Sequence, residues 1–213
     1  SKVSGRYVKL EVTEMKGYPN VSCYEFKIFN TDEKVQDPNT NVALKKTAIA
    51  SSQEAESVKV ANAVDGNTSS GSSRWGSNIG NGPDWIYVDL GERMNVNTVK
   101  VFWETRKATA HKIQIADTES TPQESDWQTV KEFKDRPKSL TEKIVLDQIY
   151  KARYVRLYVD SHTSEDPDGG IAWNTISIYE LEVYGGNPDE KMSMSDVLNG
   201  IQVETPKTGD KKL

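Results

Sequence analysis

The chain has 213 residues, 27 basic and 32 acidic side chains, and a net charge of -5. That length fits one to two domains and can bury a real core. The acidic balance argues against a nucleic-acid binder, which needs surplus Lys and Arg to displace counterions. No run of about 20 apolar residues is present to span a bilayer. A single cysteine excludes an intramolecular disulfide framework, and one Cys with two His cannot build a structural zinc cluster.

The chain opens on Ser1 without a leader and reads as a piece of a longer protein. Its first alternating run is Arg6-Tyr7-Val8-Lys9-Leu10-Glu11-Val12, followed by Tyr24-Glu25-Phe26-Lys27-Ile28-Phe29. Cys23 lies in such a run and reads as a small buried residue. Residues 35–40 are polar, hold Pro38, and read as a linker. Period-two runs then dominate. They include Trp85-Ile86-Tyr87-Val88-Asp89-Leu90, Asn97-Thr98-Val99-Lys100-Val101-Phe102-Trp103, His111-Lys112-Ile113-Gln114-Ile115, Lys143-Ile144-Val145-Leu146, Tyr154-Val155-Arg156-Leu157-Tyr158-Val159 and Ile178-Tyr179-Glu180-Leu181-Glu182-Val183. Each is β-branched or aromatic and bounded by turn residues. The only modest helix candidate is residues 193–198. Short strands at regular spacing predict an all-β chain, an antiparallel sandwich or barrel.

An internal repeat sets the organisation. Arg6-Tyr7-Val8-Lys9-Leu10-Glu11-Val12 returns as Arg153-Tyr154-Val155-Arg156-Leu157-Tyr158-Val159, and Tyr24-Glu25-Phe26 returns as Tyr179-Glu180-Leu181. A spacing of about 150 residues is one domain length, not a solenoid period. Residues 1–34 therefore read as the last two strands of an upstream, related sandwich. Residues 41–186 read as one complete domain, and the polar residues 187–213 as a second linker.

Several segments of that domain carry a resemblance. They are Ala50-Ser51-Ser52-Gln53-Glu54, Asn62-Ala63-Val64-Asp65-Gly66-Asn67, Ser73-Arg74-Trp75, Asp84-Trp85-Ile86-Tyr87-Val88-Asp89-Leu90-Gly91 and Val99-Lys100-Val101-Phe102-Trp103-Glu104. Lys112-Ile113-Gln114-Ile115, Ala152-Arg153-Tyr154-Val155-Arg156-Leu157 and Ser177-Ile178-Tyr179-Glu180-Leu181-Glu182-Val183-Tyr184-Gly185 complete the set. In order and spacing they resemble the discoidin (coagulation factor type C) family, and within it the bacterial family 32 carbohydrate-binding modules. The resemblance implies an eight-stranded antiparallel jelly-roll β-sandwich. It also implies a non-catalytic module appended to a secreted glycoside hydrolase.

Asp65-Gly66-Asn67 opens a hydroxyl-rich loop ahead of Trp75. Calcium takes six to eight oxygens from carboxylates, hydroxyls and carbonyls, and this loop is rich in them. The same residues are also ordinary turn chemistry without a metal. The resemblance implies a structural Ca2+ held by the side chains of Asp65 and Glu180 and by the carbonyls of Asn62, Asn67 and Tyr179. Ser73 fits as the hydroxyl ligand, with Thr68 and Ser70 as alternatives.

A sugar site needs an exposed aromatic and a few converging polar groups. Trp85 and Trp103 sit in alternating strands and read as core or core-edge. Trp75 reads as sealing the sandwich, and Trp127 as structural. Trp173 lies in a long loop rich in Asp, Gly, Ser and Pro, where function gathers; it is either a sugar platform or an anchor packed downward. In galactose-binding relatives an acidic residue, a histidine and an arginine complete the site. Glu54 and Arg106 match the first and third by position. Gly76-Ser77 stands where the histidine falls, which counts against terminal galactose. Asn78 and Glu104 are further candidates nearby. Solvated surface is the competing reading for each of these polar residues.

No catalytic order of Ser, His and Asp, no phosphate loop and no zinc motif is present. Asp160, Glu165, Asp166 and Asp168 read as a solvated acidic loop, although glycosidases do use paired carboxylates. Polar, acidic loops lack the apolar spikes and basic residues of a lipid binder. The expectation is a monomeric, glycan-binding module of a secreted or wall-attached bacterial protein. The alternative is a protein-binding adhesion module.

Overall fold

The computed structural model describes residues 36–188 apart from 81, 136 and 163–173, and before them Lys9, Leu10, Val12, Ser22, Cys23 and Phe26. The expected strand pair in 1–34, the loop holding Trp173, and the helix candidate 193–198 lie wholly or largely outside those residues. Residues 1–35 and 36–213 form two compact units. In the first, Leu10, Val12 and Phe26 are exposed. Cys23 is exposed as well, against its reading as a buried residue: the described residues around it contribute no strand whose face it can join.

Among the described residues, the second unit contains seven strands. They are β1 (Thr47–Ala50), β2 (Trp75–Gly76), β3 (Asp84–Trp103), β4 (Ala110–Ala116), β5 (Gln128–Phe133), β6 (Thr141–Ser161) and β7 (Ser177–Tyr184). All their pairings are antiparallel. Runs expected as separate strands fuse here: 85–90 with 97–103 into β3, and 143–146 with 154–159 into β6. Near the start of β3, Asp84↔Val159 begins a ladder through Asp89↔Tyr154. After a register shift, Met94↔Ala152 to Val96↔Tyr150 form a short second segment, and after another, Thr98↔Val145 begins a third that runs to Phe102↔Thr141. Gly91 (φ 86°) supplies the left-handed backbone at the break.

One half of this ladder pairs outward with β1 and with β4 and β5; the other pairs with β7 and β2. The two halves are the two layers of a β-sandwich. Their alternating inward residues meet between the layers: Ile86, Val88 and Leu90 from one, Val99, Val101 and Trp103 from the other, with Leu157, Leu181 and Val183. Sequence alternation was legible where a strand turns its apolar residues to one face, as β3 does with Ile86, Val88 and Leu90. β1 and β2 were not, because strands this short are defined by their partners. Short 3-10 helices at Glu56–Val58, Val60–Val64 and Glu124–Asp126 join the strands. Ala63 and Val64 from the second enter the core.

Residues 36–40 of the stretch expected as linker, and the adjoining Asn41, are fastened to the rest of the domain. Gln36 accepts from the Asn95 amide (2.6 Å) and donates to its carbonyl (2.9 Å). Asn41 Oδ1 receives the Val183 amide (3.1 Å).

Trp103 and Trp75 are fully buried, and Trp75 donates its indole N–H to the Ser52 carbonyl (3.0 Å). Trp85 instead faces outward, where it joins Tyr87, Tyr154 and Trp127 in a second small cluster. Arg156, 2 % exposed, lies under this cover. Its guanidinium stands 4.2 Å from the centre of the Trp127 ring and makes two 2.9 Å bonds to the Glu124 carboxylate. This fork neutralises a charge that is costly to bury alone. Among the described residues no helix is long and apolar enough to cross a membrane.

Arg153 clamps the fold near the register break, through two 2.9 Å bonds to Asp89. These bonds hold the Asp89 carboxyl below its ordinary pKa. A carboxyl lowered by folding stabilises the fold above its unfolded pKa, and that contribution is lost as the pH falls through the folded value. Arg153→Ala is expected to lower the melting temperature modestly at neutral pH, since it removes both bonds to Asp89 at a partly solvated site. It should also flatten the loss of melting temperature on acidification below about pH 4, as read by thermal circular dichroism.

Candidate functional site

Backbone bonds gather four loops at one end of the sandwich. β2 pairs with the start of β7, Gly76 opposite Ser177. The Glu54 amide donates to the Gly76 carbonyl (2.9 Å), so Glu54 sits against β2. On the other side the Glu104 amide donates to the Ser177 carbonyl (3.0 Å), and the Ser177 amide to the Arg106 carbonyl (3.2 Å). The Asn78 amide is held by Ser52 Oγ (2.9 Å). Three of the four expected sugar residues, Glu54, Asn78 and Arg106, are thus collected around one strand pair. Trp173 lies outside the described residues. Its chain neighbour Asn174 accepts the Gly80 amide at 2.8 Å.

Local chemistry sets these side chains. Glu104 is pinned twice, Oε1 by the Thr105 hydroxyl (3.1 Å) and Oε2 by the Arg106 amide (3.2 Å). Glu54 and Asn78 remain exposed. A Cβ on Gly76 would stand 3.1 Å from Arg74 Nη1 and 3.2 Å from Glu54 Oε2. Arg74 and Glu54 therefore close over the glycine. Ile79, 57 % exposed, projects between the two pinned positions 78 and 80. Sequence pattern alone did not single it out, because an exposed Ile in a loop has no periodicity. Asp160, expected in a solvated acidic loop, lies instead near the end of β6, where it pairs with Lys112 (2.7 Å); Glu165, Asp166 and Asp168 fall outside the described residues.

Beneath these loops lies a polar cluster that the sequence did not announce. Asp84 is buried at the start of β3, against Ser51, Ser52, Ser77 and His162. Burial pushes its carboxyl up, but the bonds from His162, Ser51 and Ser77 prevail and hold it below its ordinary value. The other histidine, His111, is also fully buried. It stacks on Phe133 (4.7 Å between ring centres) and faces Glu142 Oε2 at 3.1 Å.

The expected calcium residues also converge. The Gly66 amide reaches across 114 residues of chain to Glu180 Oε1 (3.1 Å). Asp65 Oδ2 accepts the Ser73 hydroxyl, and Asp65 Oδ1 accepts the Asn67 amide (2.8 Å). Of the alternative hydroxyls, Ser70 is bonded to Ser72 (2.8 Å). Asn62 spans the loop base, donating to the Arg74 carbonyl (3.1 Å), and Tyr179 is half-buried beside Glu180.

Glu180 is fully buried, and its Oε2 has no partner among the described residues. Burial first, then the nearby Asp65 and Glu182, push its pKa up to about 7. A buried carboxylate with an idle oxygen beside a second carboxylate fits a hard cation. Among the described residues, no three His, Cys, Asp or Glu side chains cluster for a metal, so neutral oxygens would have to complete the shell.

The second unit is thus a β-sandwich that gathers polar loop residues at one end. An F5/8 type C family model, described as a NedA-like, galactose-binding domain, matches residues 62–157. No curated protein matches the chain. Chitosan-binding module 1 of a chitosanase/glucanase from Paenibacillus sp. IK-5 is similar at 35 % identity, over 68 % of this chain and 99 % of that one, with a TM-score of 0.59. Module 2 of the same enzyme, in complex with chitotriose, is similar at 34 %, over 68 % and 100 %, with a TM-score of 0.59. The family 32 module of C. perfringens NanJ, in complex with galactose, shares the fold at 20 % identity, over 66 % and 93 %, with a TM-score of 0.50. The chain belongs to the discoidin, F5/8 type C-like family of galactose-binding domains, and its fold is that of the carbohydrate-binding modules.

Gly66 (φ 93°) turns the Asp65–Glu180 corner, and a Cβ there would meet Leu44 Cδ1 at 3.1 Å. Gly66→Ala is expected to destabilise the domain by about 1–2 kcal/mol, from the positive φ and the contact together. Urea denaturation checks this.

Proposed function

We propose that this domain is a non-catalytic, calcium-stabilised carbohydrate-binding module that takes glucosamine-containing glycans of the chitosan type. The observation that carries the reading is the pair of carboxylates Glu54 and Glu104 on either side of the Gly76–Ser177 pair at the end of the sandwich. The likeness to two chitosan-binding modules over nearly their whole length supports it. Protonated amino groups on a glucosamine chain are cations, and exposed carboxylates attract them. The net charge of -5 adds long-range attraction for a polycation. In this reading Arg106 and Asn78 hydrogen-bond sugar hydroxyls, and Trp173 supplies the apolar platform for a sugar face.

Calcium would be held by Asp65 and Glu180, with Ser73 and the carbonyls of Asn62, Asn67 and Tyr179. It would supply charge that ties the 65–73 loop to β7. Binding one short glycan is weak, about 0.1–1 mM, because few atoms make contact. The benefit is targeting: tethered to a parent secreted glycoside hydrolase, a weak binder raises the enzyme's local concentration on its substrate.

Titration calorimetry tests the sugar. The glucosamine trisaccharide should bind in the range above, and its fully N-acetylated counterpart more weakly, since it lacks the ammonium groups. Glu54→Gln should cost about tenfold, near the value of one charge-assisted bond. Equal affinity for the two sugars would remove the charge argument. No binding to either, with attachment to a protein partner instead, would favour an adhesion module.

Melting curves test the metal. Calcium at about a hundredfold excess over its dissociation constant adds about 2.7 kcal/mol, a rise of several degrees. Glu180→Gln should abolish that rise, and an equal rise in both proteins would refute the assignment of Glu180.

A further inference from the structure

Asp84 makes none of the contacts expected of a glycan ligand, yet it touches the base of every described loop on its side of the site. Its Oδ1 accepts the hydroxyls of Ser51 (3.1 Å) and Ser52 (3.5 Å). Its Oδ2 accepts the hydroxyl of Ser77 (3.1 Å) and faces His162 Nε2 (3.0 Å). The two serines at 51 and 52 begin the loop of Glu54, Ser77 begins that of Asn78, and His162 stands where the chain leaves β6.

The direction of these bonds matters. An ionised carboxylate only accepts, and a serine hydroxyl has one proton. Each serine must therefore donate to Asp84 and turn its lone pairs outward. There they receive backbone amides: Trp85 on Ser51 (3.1 Å), Asn78 on Ser52 (2.9 Å) and Ile176 on Ser77 (3.0 Å). Asp84 thus orients three hydroxyls at once, and each hydroxyl pins a different segment of chain. The carboxyl is held ionised by the same donors, below its ordinary pKa despite its burial. It sits in the same cross-strand row as Val159 and His111, so it is anchored to the core below.

We propose that Asp84 is the positioning residue of the glycan site: a buried carboxylate that, through Ser51, Ser52, Ser77 and His162, sets the spacing between the loops of Glu54 and Asn78. The proposal rests on the glycan-binding reading for its effect on affinity, but not for its effect on the loops. An Asn at this position introduces an amide donor. The serine facing that amide can no longer donate to position 84: its proton must find another acceptor, and its lone pairs, now shared between the new amide and the backbone N–H, turn away from the direction that pins the loop.

The test joins two measurements on the whole chain. Amide hydrogen exchange should show lost protection at Asn78 and Ile176 in Asp84→Asn, while core amides of Ile113 and Leu157 keep theirs. Titration with the glucosamine trisaccharide should show about a tenfold weaker affinity. A purely structural role predicts a general loss of protection instead, and that outcome would overturn the proposal. So would affinity within twofold of the parent chain. His162→Gln, which keeps one N–H donor, should retain most of the affinity that His162→Ala loses.

Should Asp84→Asn not fold, Ser52→Ala carries the test from the periphery, with loss expected at the Asn78 amide alone. Unchanged Asn78 protection in that variant would count against the proposal. If the parent chain binds no trisaccharide, the functional reading falls, and the exchange pattern by itself decides the role of Asp84.

Discussion

The antiparallel ladder between β3 and β6 is the constraint on which the rest depends. Both strands are long, and both run through two layers, so one pairing builds the centre of each sheet. The register shift between Asp89 and Met94 lets them do so. A straight ladder of this length would leave two apolar faces on opposite sides with nothing to cover them. Broken at Gly91 and clamped by Arg153 on Asp89, it folds its inward residues onto one another. The remaining strands then add at the edges, each guided by its own alternation.

That arrangement also determines where chemistry can gather. At the end of the sandwich where β3 starts, the inward row is Asp84, Val159 and His111. Core packing gives way there to polar contacts, with His162 on Asp84 and His111 beside Glu142. Buried polar groups are stable only when paired, and paired ones are rigid. The loops above inherit that rigidity through backbone bonds to β2 and β7. A shallow binding site gains from such a floor, because loops already in place lose less entropy when a ligand arrives. At the Asp65–Glu180 corner the buried Glu180 carboxyl is met by the Gly66 amide, which ties the 65–73 loop to β7.

The site was legible in unequal parts. Glu54 and Arg106 were reached by position through the resemblance and Asn78 as a neighbour of the Arg74-Trp75 pair, and the structure gathers them through Gly76 and Ser177. Asp65, Asn67 and Ser73 are close in sequence, so their turn chemistry was visible directly. Glu180 is 114 residues from its Gly66 partner and was reachable only through the resemblance. Asp84 could not be read as a hub, because an Asp before a strand is ordinary turn chemistry until its four partners are brought to it. Neither histidine was informative in sequence: His111 alternates like any strand residue, and His162 ends one.

By itself the sequence determined the all-β class, the faces of the main strands, and the family. These depend on period-two alternation and local turn residues, which one stretch of chain carries alone. Tertiary structure decided that four expected strands are two, that residues 36–40 are fastened to the domain, and that Trp85 faces outward while Trp103 faces in. It also decided which polar residues share a site. The physical reason is the same in each case. A strand's face is a property of its own residues, whereas its register, its continuity through a bend and its loop contacts depend on a partner far away in the chain.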